Sequence, residues 1–148
     1  MELKIQLRLL LEKLFQEYEE HHPRMYFVFQ KVEHQFVFTD VNQELLRSVH
    51  QQREDFIVQT LDTAPDLGDE GRRQKLKTIY PLAWSGKRAI FYHFPVSNLD
   101  IFVITYLEPH YVNGQVFQVM GRCASFHKNE FQDTLEHLDQ FVTFEVLQ

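Results

Sequence analysis

The stretch from Phe36 to Thr60, FVFTDVNQELLRSVHQQREDFIVQT, constrains this chain more than any other. Its first residues are aromatic and β-branched, as strand residues are, and Asn42 then breaks the pattern. Asn42 is a good N-cap, because its side-chain oxygen accepts from the first unpaired N–H groups of a helix, and Glu44 sits in the first turn, where the helix dipole favours an acid. Leu45, Leu46 and Val49 share the inward side of a helix over 42–50. A further helical turn starts at Arg53-Glu54-Asp55. A strand that ends directly in a capped short helix, with more short helical turns behind it, belongs to a fold that lays small helices across a sheet.

The rest of the chain supplies that sheet. Before it, residues 2–20 read as an amphipathic helix: Leu7, Leu11, Leu14 and Tyr18 recur at spacings of four, three and four, and Leu3 and Leu10 widen the stripe. His21-His22-Pro23 ends it, since the residue before a proline is pushed out of the helical region. Residues 25–32 and 35–41 then alternate as strands around a two-residue Glu33-His34 connection, which predicts a hairpin lacking the usual Gly or Asn. Residues 62–71 (DTAPDLGDEG) form a polar loop, and 72–85 form a helix disturbed at Pro81 and capped by Gly86. The last third is strand: 88–95, then 99–112 with a kink expected at Pro109, then 115–125. Asn113-Gly114 is the strongest hairpin signal in the chain. From Lys128 onward, Phe131, Leu135, Leu138 and Val142 return to helical spacing over 130–145.

The order is helix, two strands, short helices, three strands, helix. It predicts an α+β fold: a five-stranded antiparallel sheet with short helices inserted between strands two and three, plus the N-terminal helix. Three segments follow, an N-terminal flanking helix over 1–24, a central domain over 25–128, and a C-terminal helix or linker to an effector over 129–148. A helix laid mid-sheet against one face encloses a cavity.

Composition limits what such a domain does. With 148 residues, 44% hydrophobic and 14% aromatic, the chain has apolar surface enough for one real core. The formal charge is -6, from 15 basic and 21 acidic residues, which argues against nucleic-acid binding through a basic face. Cys123 is alone, so no internal disulfide forms and a reducing, cytoplasmic setting is expected. No stretch approaches the ~20 apolar residues of a membrane span. The eight His are scattered, without the paired spacing of a zinc site. There is no nucleophile elbow and no phosphate loop, so no catalytic residue and no metal ligand is assigned.

At FVFTDVNQELLRSV the chain resembles the PAS (sensory box) domain, the fold of bacterial sensor histidine kinases and related signalling proteins; Asn42 stands where that family often has Asn between its second strand and first inner helix. REDFIVQT is similar to the segment where the family usually carries Gly, and Val58 holds that place here. Gly86 to Pro95 matches loosely, and YLEPHYVNGQVFQVMGRCASFHK resembles the family's final hairpin, with Ser125-Phe126-His127 in place of the usual Asp-Ile-Thr end. The resemblance spans residues 25–128. It implies a cytoplasmic sensory and dimerisation module, not itself an enzyme, that acts in a two-component system with an effector in cis or a partner protein.

The resemblance also implies where a ligand would sit. Phe38, Phe56, Tyr80, Trp84, Phe91, Phe102 and Ile104 fall on elements that face the inner cavity in PAS domains, with Asn42, His93 and Met120 beside them. Flavin-binding members need a Cys on an inner helix, whereas Cys123 falls on the last strand; haem-binding members need a ligand on the long inner helix, and 72–85 has no His. Flavin and haem are therefore not expected, and an unidentified small molecule is. The helix bearing Leu3, Leu7, Leu10, Leu11, Leu14 and Tyr18 is expected to serve a homodimer. The rival from another class is a small-molecule enzyme on a hotdog or cystatin-like scaffold, in which that helix would be the central one; a protein-only interaction domain with a filled core is a third.

Overall fold

A computed structural model describes the backbone of residues 2–68, 70–138 and 144–147, and the side chains of 7–65, 67–68, 70–136 and 147. Helix α1 (Glu2–His21) leads into strands β1 (Met25–Val32) and β2 (Gln35–Val41). Short helix α2 (Gln43–Ser48), 3-10 turns at Arg53–Asp55 and Pro65–Leu67, and helix α3 (Glu70–Trp84) follow. Strands β3 (Ala89–His93), β4 (Ile101–Val112) and β5 (Gln115–His127), helix α4 (Gln132–Leu138) and strand β6 (Phe144–Val146) complete the chain. The strands form one antiparallel sheet in the order β2-β1-β5-β4-β3-β6. The five expected strands are all there, with the helical segment between the second and third.

Asn42 makes the turn out of β2. Its Oδ1 accepts from the Leu45 amide at 3.2 Å and from the Tyr26 amide at 3.0 Å, while Nδ2 donates to the Arg24 carbonyl at 2.8 Å. One side chain thus caps α2 and ties it to the start of β1. Asn113 and Gly114 both take positive φ, 53° and 79°, as a type I′ hairpin requires. Pro81 does not break α3, which runs on to Trp84, and β4 passes through Pro109 without interruption.

The C-terminal segment departs from expectation. Helical spacing over 130–145 predicts one helix, but α4 ends at Leu138 and Phe144–Val146 instead pair with Ala89–Phe91 of β3. A free β3 edge would leave a row of unpaired N–H and C=O groups, and the added strand satisfies them. Val142 lies outside the described residues, as does the side chain of Leu3.

The two faces of the sheet carry separate cores. Phe91, Val103, Cys123 and the inward residues of β1 pack with α2 and α3 on the inner face. Ile90, Tyr92, Phe102, Ile104, Ala124 and Phe126 pack on the outer face against Leu7, Leu11 and Phe15 of α1. Leu7 and Leu11 are fully buried there, Leu14 and Tyr18 pack partly against the same cluster, and Leu10 is half-buried beside Leu9, which is exposed. The leucine stripe thus seals its own domain, and Leu7 and Leu11 have no surface left for a second chain. Helix α1 lies on the side away from α2 and α3, which removes the hotdog and cystatin-like arrangements. Its second half is tied to β5 by Arg122, whose guanidinium meets Glu19 at 3.1 Å and lies 5.5 and 5.0 Å from the ring centres of Phe15 and Tyr106.

Val58 explains why the resembling family carries Gly at its position. It takes φ 58°, a left-handed conformation hostile to a β-branched residue, and its side chain is 75% exposed, so packing returns little. The conformation is held by a backbone exchange with the β2 edge: the Val58 amide donates to the Phe38 carbonyl and the Phe38 amide to the Gln59 carbonyl, both at 2.9 Å. Replacing Val58 by Gly removes the steric cost and keeps both bonds. Val58→Gly is expected to raise the unfolding free energy by about 1 kcal/mol, read from the midpoint of urea denaturation; an unchanged or lowered midpoint contradicts this account of the turn.

Candidate functional site

The inner face encloses a cavity of about 40 Å³. Phe27 and Phe38 of β1 and β2, Phe56 behind the first 3-10 turn, Tyr80 of α3 and Phe91 of β3 give it an aromatic wall. The rings mostly pack against one another: Phe29 stacks on Tyr80 at 4.0 Å, and Phe38 meets Phe56 edge-on at 5.0 Å. The cavity is the space this packing leaves. Gly121 of β5 makes room for one wall, since a Cβ there would stand 2.3 Å from the Phe27 ring, directly across the β1–β5 pairing.

Ala64 and Leu67 close the cavity from the 61–68 segment, and a single guanidinium holds that segment. Arg73 of α3 donates to the carbonyls of Leu61 at 2.7 Å, Ala64 at 3.0 Å and Gly68 at 3.0 Å. Three charge-assisted bonds anchor the segment on either side of its 3-10 turn, and Lys77 of α3 adds an ion pair to Asp62.

A few polar side chains interrupt the apolar lining. His93, at the end of β3, lines it with a half-buried side chain whose Nδ1 is fully enclosed and has no hydrogen-bond partner. Burial, and then the positive charge of Arg72, lowers its pKa to about 4, so the imidazole is neutral at pH 7. Arg72 itself donates to the Phe94 carbonyl. Thr105 is wholly buried, with Oγ1 3.6 Å from Cys123 Sγ. Burial pushes the Cys123 thiol up to about 12, against the opposing effect of Thr105, and burial raises the Tyr80 hydroxyl well above its ordinary value. Asp55 also reaches the lining, its carboxylate accepting from the Gln52 amide at 3.0 Å. Among the described residues, no group of three or more His, Cys, Asp or Glu is placed to hold a metal ion, and no helix is long and apolar enough to cross a membrane.

Five of the expected pocket residues, Phe38, Phe56, Tyr80, Phe91 and His93, come together here. Five do not. Phe102 and Ile104 belong to the outer core beneath α1, because β4 pairs His93 with Val103 and so turns Val103 and Thr105 inward. Residues 101–105 of β4 are all buried, and a strand covered on both faces shows no polar alternation to reveal its orientation. Met120 also faces outward, between Val28 and Glu108; a register shift after His110 displaces the pairing counted from the hairpin. Asn42 is engaged in capping. Trp84 stands outside the cavity, edge-on to Phe36 at 6.1 Å in a surface groove with Lys31 and Lys77. The sequence reasoning missed Val103, Thr105 and Cys123, which a correct β4–β5 register would have found by parity, and Phe27, which the β1–β5 register places.

No protein-family model and no curated protein matches the chain. Solved structures do. A domain described as that of a light and redox sensing histidine kinase from Haloarcula marismortui superposes with a TM-score of 0.58 at 13% identity, over 77% of this chain and 98% of that one. A light-oxygen-voltage domain studied with a flavin analogue gives 0.58 at 8% identity, over 86% and 95%. A sensory box sensor histidine kinase from Vibrio cholerae gives 0.51 at 14% identity, over 83% and 94%. The chain has the PAS fold.

Two consequences are measurable. Cys123 is expected to be modified by a thiol reagent at pH 8 at least about 100-fold more slowly than a free cysteine, reaching the ordinary rate on unfolding in guanidinium; fast modification of the folded chain contradicts the burial. His93 also makes stability depend on pH. Below pH 6.5 the unfolded chain takes up a proton that the folded chain refuses down to about 4, so stability falls as pH falls through that window. His93→Phe is expected to flatten the acid limb by about 1 kcal/mol per pH unit, read from denaturation midpoints between pH 4 and 7; an equal slope in both proteins shows that His93 titrates normally.

Proposed function

We propose that this chain is a PAS-type sensory module of a signal-transduction protein, responding to a small molecule held in the inner cavity. The observation that carries the reading is the enclosed apolar cavity with one unsatisfied polar group, on a fold that the neighbouring structures use in sensor kinases. Apolar clefts with a few placed polar groups are how proteins hold small ligands. No catalytic role is assigned.

The proposed mechanism is a population shift. A ligand widens the cavity and favours one of two packings of the sheet against its covering helices. Helix α1 and the C-terminal segment are placed to transmit it, because both pack on the outer face of β3, β4 and β5, and the inner face of the same strands lines the cavity. Their continuations would lead to an effector in cis, such as a kinase, or to a partner. Homodimerisation belongs to the same reading and would use the outward side of α1 near Leu9, since Leu7 and Leu11 are spent within the chain.

A ligand other than flavin or haem is favoured by three features. The space as described is far smaller than a three-ring flavin. The single cysteine lies on β5 with its thiol held protonated, away from the inner helices. Helix α3, where the resembling haem-binding members carry the ligand, has no His. The test is native mass spectrometry of the protein purified from its own source. The wild type is expected to carry added small-molecule mass, and Ala64→Phe, which plugs the cavity, to lose it. Identical bare masses for both proteins overturn the reading in favour of an interaction domain with a filled core.

A further inference from the structure

The polar groups of the lining restrict what the cavity can accept. An enclosed imidazole nitrogen without a partner costs the protein the desolvation of that group, and a ligand that satisfies it recovers the cost. The ring is neutral at pH 7, so Nδ1 is an acceptor in one tautomer and a donor in the other. A hydroxyl group answers both, since it donates and accepts. A carboxylate answers one only and would bring a charge in among phenyl rings, a cost that Arg72, engaged with the Phe94 carbonyl, offsets only in part. Thr105 Oγ1 is already engaged with Cys123, and His93 is the lining residue with a buried polar atom that has no partner.

Size sets the second restriction. The cavity of about 40 Å³ is well below the ~150 Å³ of an engineered apolar cavity that takes up benzene. A single ring therefore enters by moving a wall. Ala64 and Leu67 form a wall that lies on neither a strand nor an α-helix, and three carbonyl bonds tie their segment to Arg73.

We propose that the inner cavity selects a small uncharged molecule of the phenol class, an apolar ring bearing one hydroxyl, with the hydroxyl paired to His93 Nδ1. The proposal rests on the sensory reading above and adds the ligand's chemistry to it. Phenol, toluene and benzoate at pH 7 serve as probes, titrated into the full chain and followed by the methyl resonances of Leu45, Val49, Leu76 and Val103. Phenol and toluene are expected to perturb these resonances, and benzoate at equal concentration to leave them in place. His93→Phe is expected to lower the phenol-to-toluene affinity ratio about tenfold, the size of one hydrogen bond in such a site. His93→Gln, which keeps a donor and an acceptor, retains most of the ratio. A ratio unmoved by His93→Phe, or benzoate binding as tightly as phenol, overturns the ligand class while leaving a ligand-binding cavity in place. Silence of all three probes likewise overturns the ligand class, whereas the sensory reading falls only with identical bare masses of the wild type and Ala64→Phe.

Discussion

The structure depends on burying β3, β4 and β5 on both faces. Residues 89–92 of β3 and 101–104 of β4 are apolar without interruption, and β5 adds Val119 and Cys123 on the inner face and Ala124 and Phe126 on the outer. The inner face is closed by α2, α3 and the 3-10 turns, and the outer face by α1, with Phe131 and Leu135 beside it. Removing either cover would expose a continuous hydrophobic surface, so both are obligatory parts of one domain. The population shift proposed above would use the same arrangement, since only one layer of backbone separates the two covers.

Within the inner layer, aromatic packing is nearly complete, and the shortfall is where chemistry becomes available. Phe27 lies over Gly121, Phe29 stacks on Tyr80, and Phe38 meets Phe56. What remains is a small cavity with His93 at one end and a wall hung from Arg73 at another. The distinction between a core filled by its own rings and a pocket open to a ligand is therefore one of degree. Most of the phenylalanines fill the core, and the few that border His93 leave it a space.

Local chemistry was legible wherever one residue controls a backbone choice. Asn42 announced the cap and the turn out of β2, and Asn113-Gly114 announced the hairpin, because each supplies a specific bond or dihedral. Val58 was legible as an irregularity, and its left-handed φ gives the physical reason. Helical spacing in α1 identified the buried leucines but not their partner. Leu7 and Leu11 face the chain's own sheet, a fact that periodicity alone cannot supply, since any apolar surface satisfies an amphipathic stripe.

By itself the sequence determined the order and type of the elements as far as β5, the capped entry into the short helices, and the absence of a second cysteine or a paired metal motif. Tertiary structure alone decided which face each central strand residue occupies. Phe102 and Ile104 went to the outer core and Val103 and Thr105 to the cavity, because β4 is buried on both sides and its alternation carries no polar contrast. It also decided the fate of the C-terminal segment. Residues 144–146 took up the open edge of β3, a demand for hydrogen bonds that exists only once the sheet has formed.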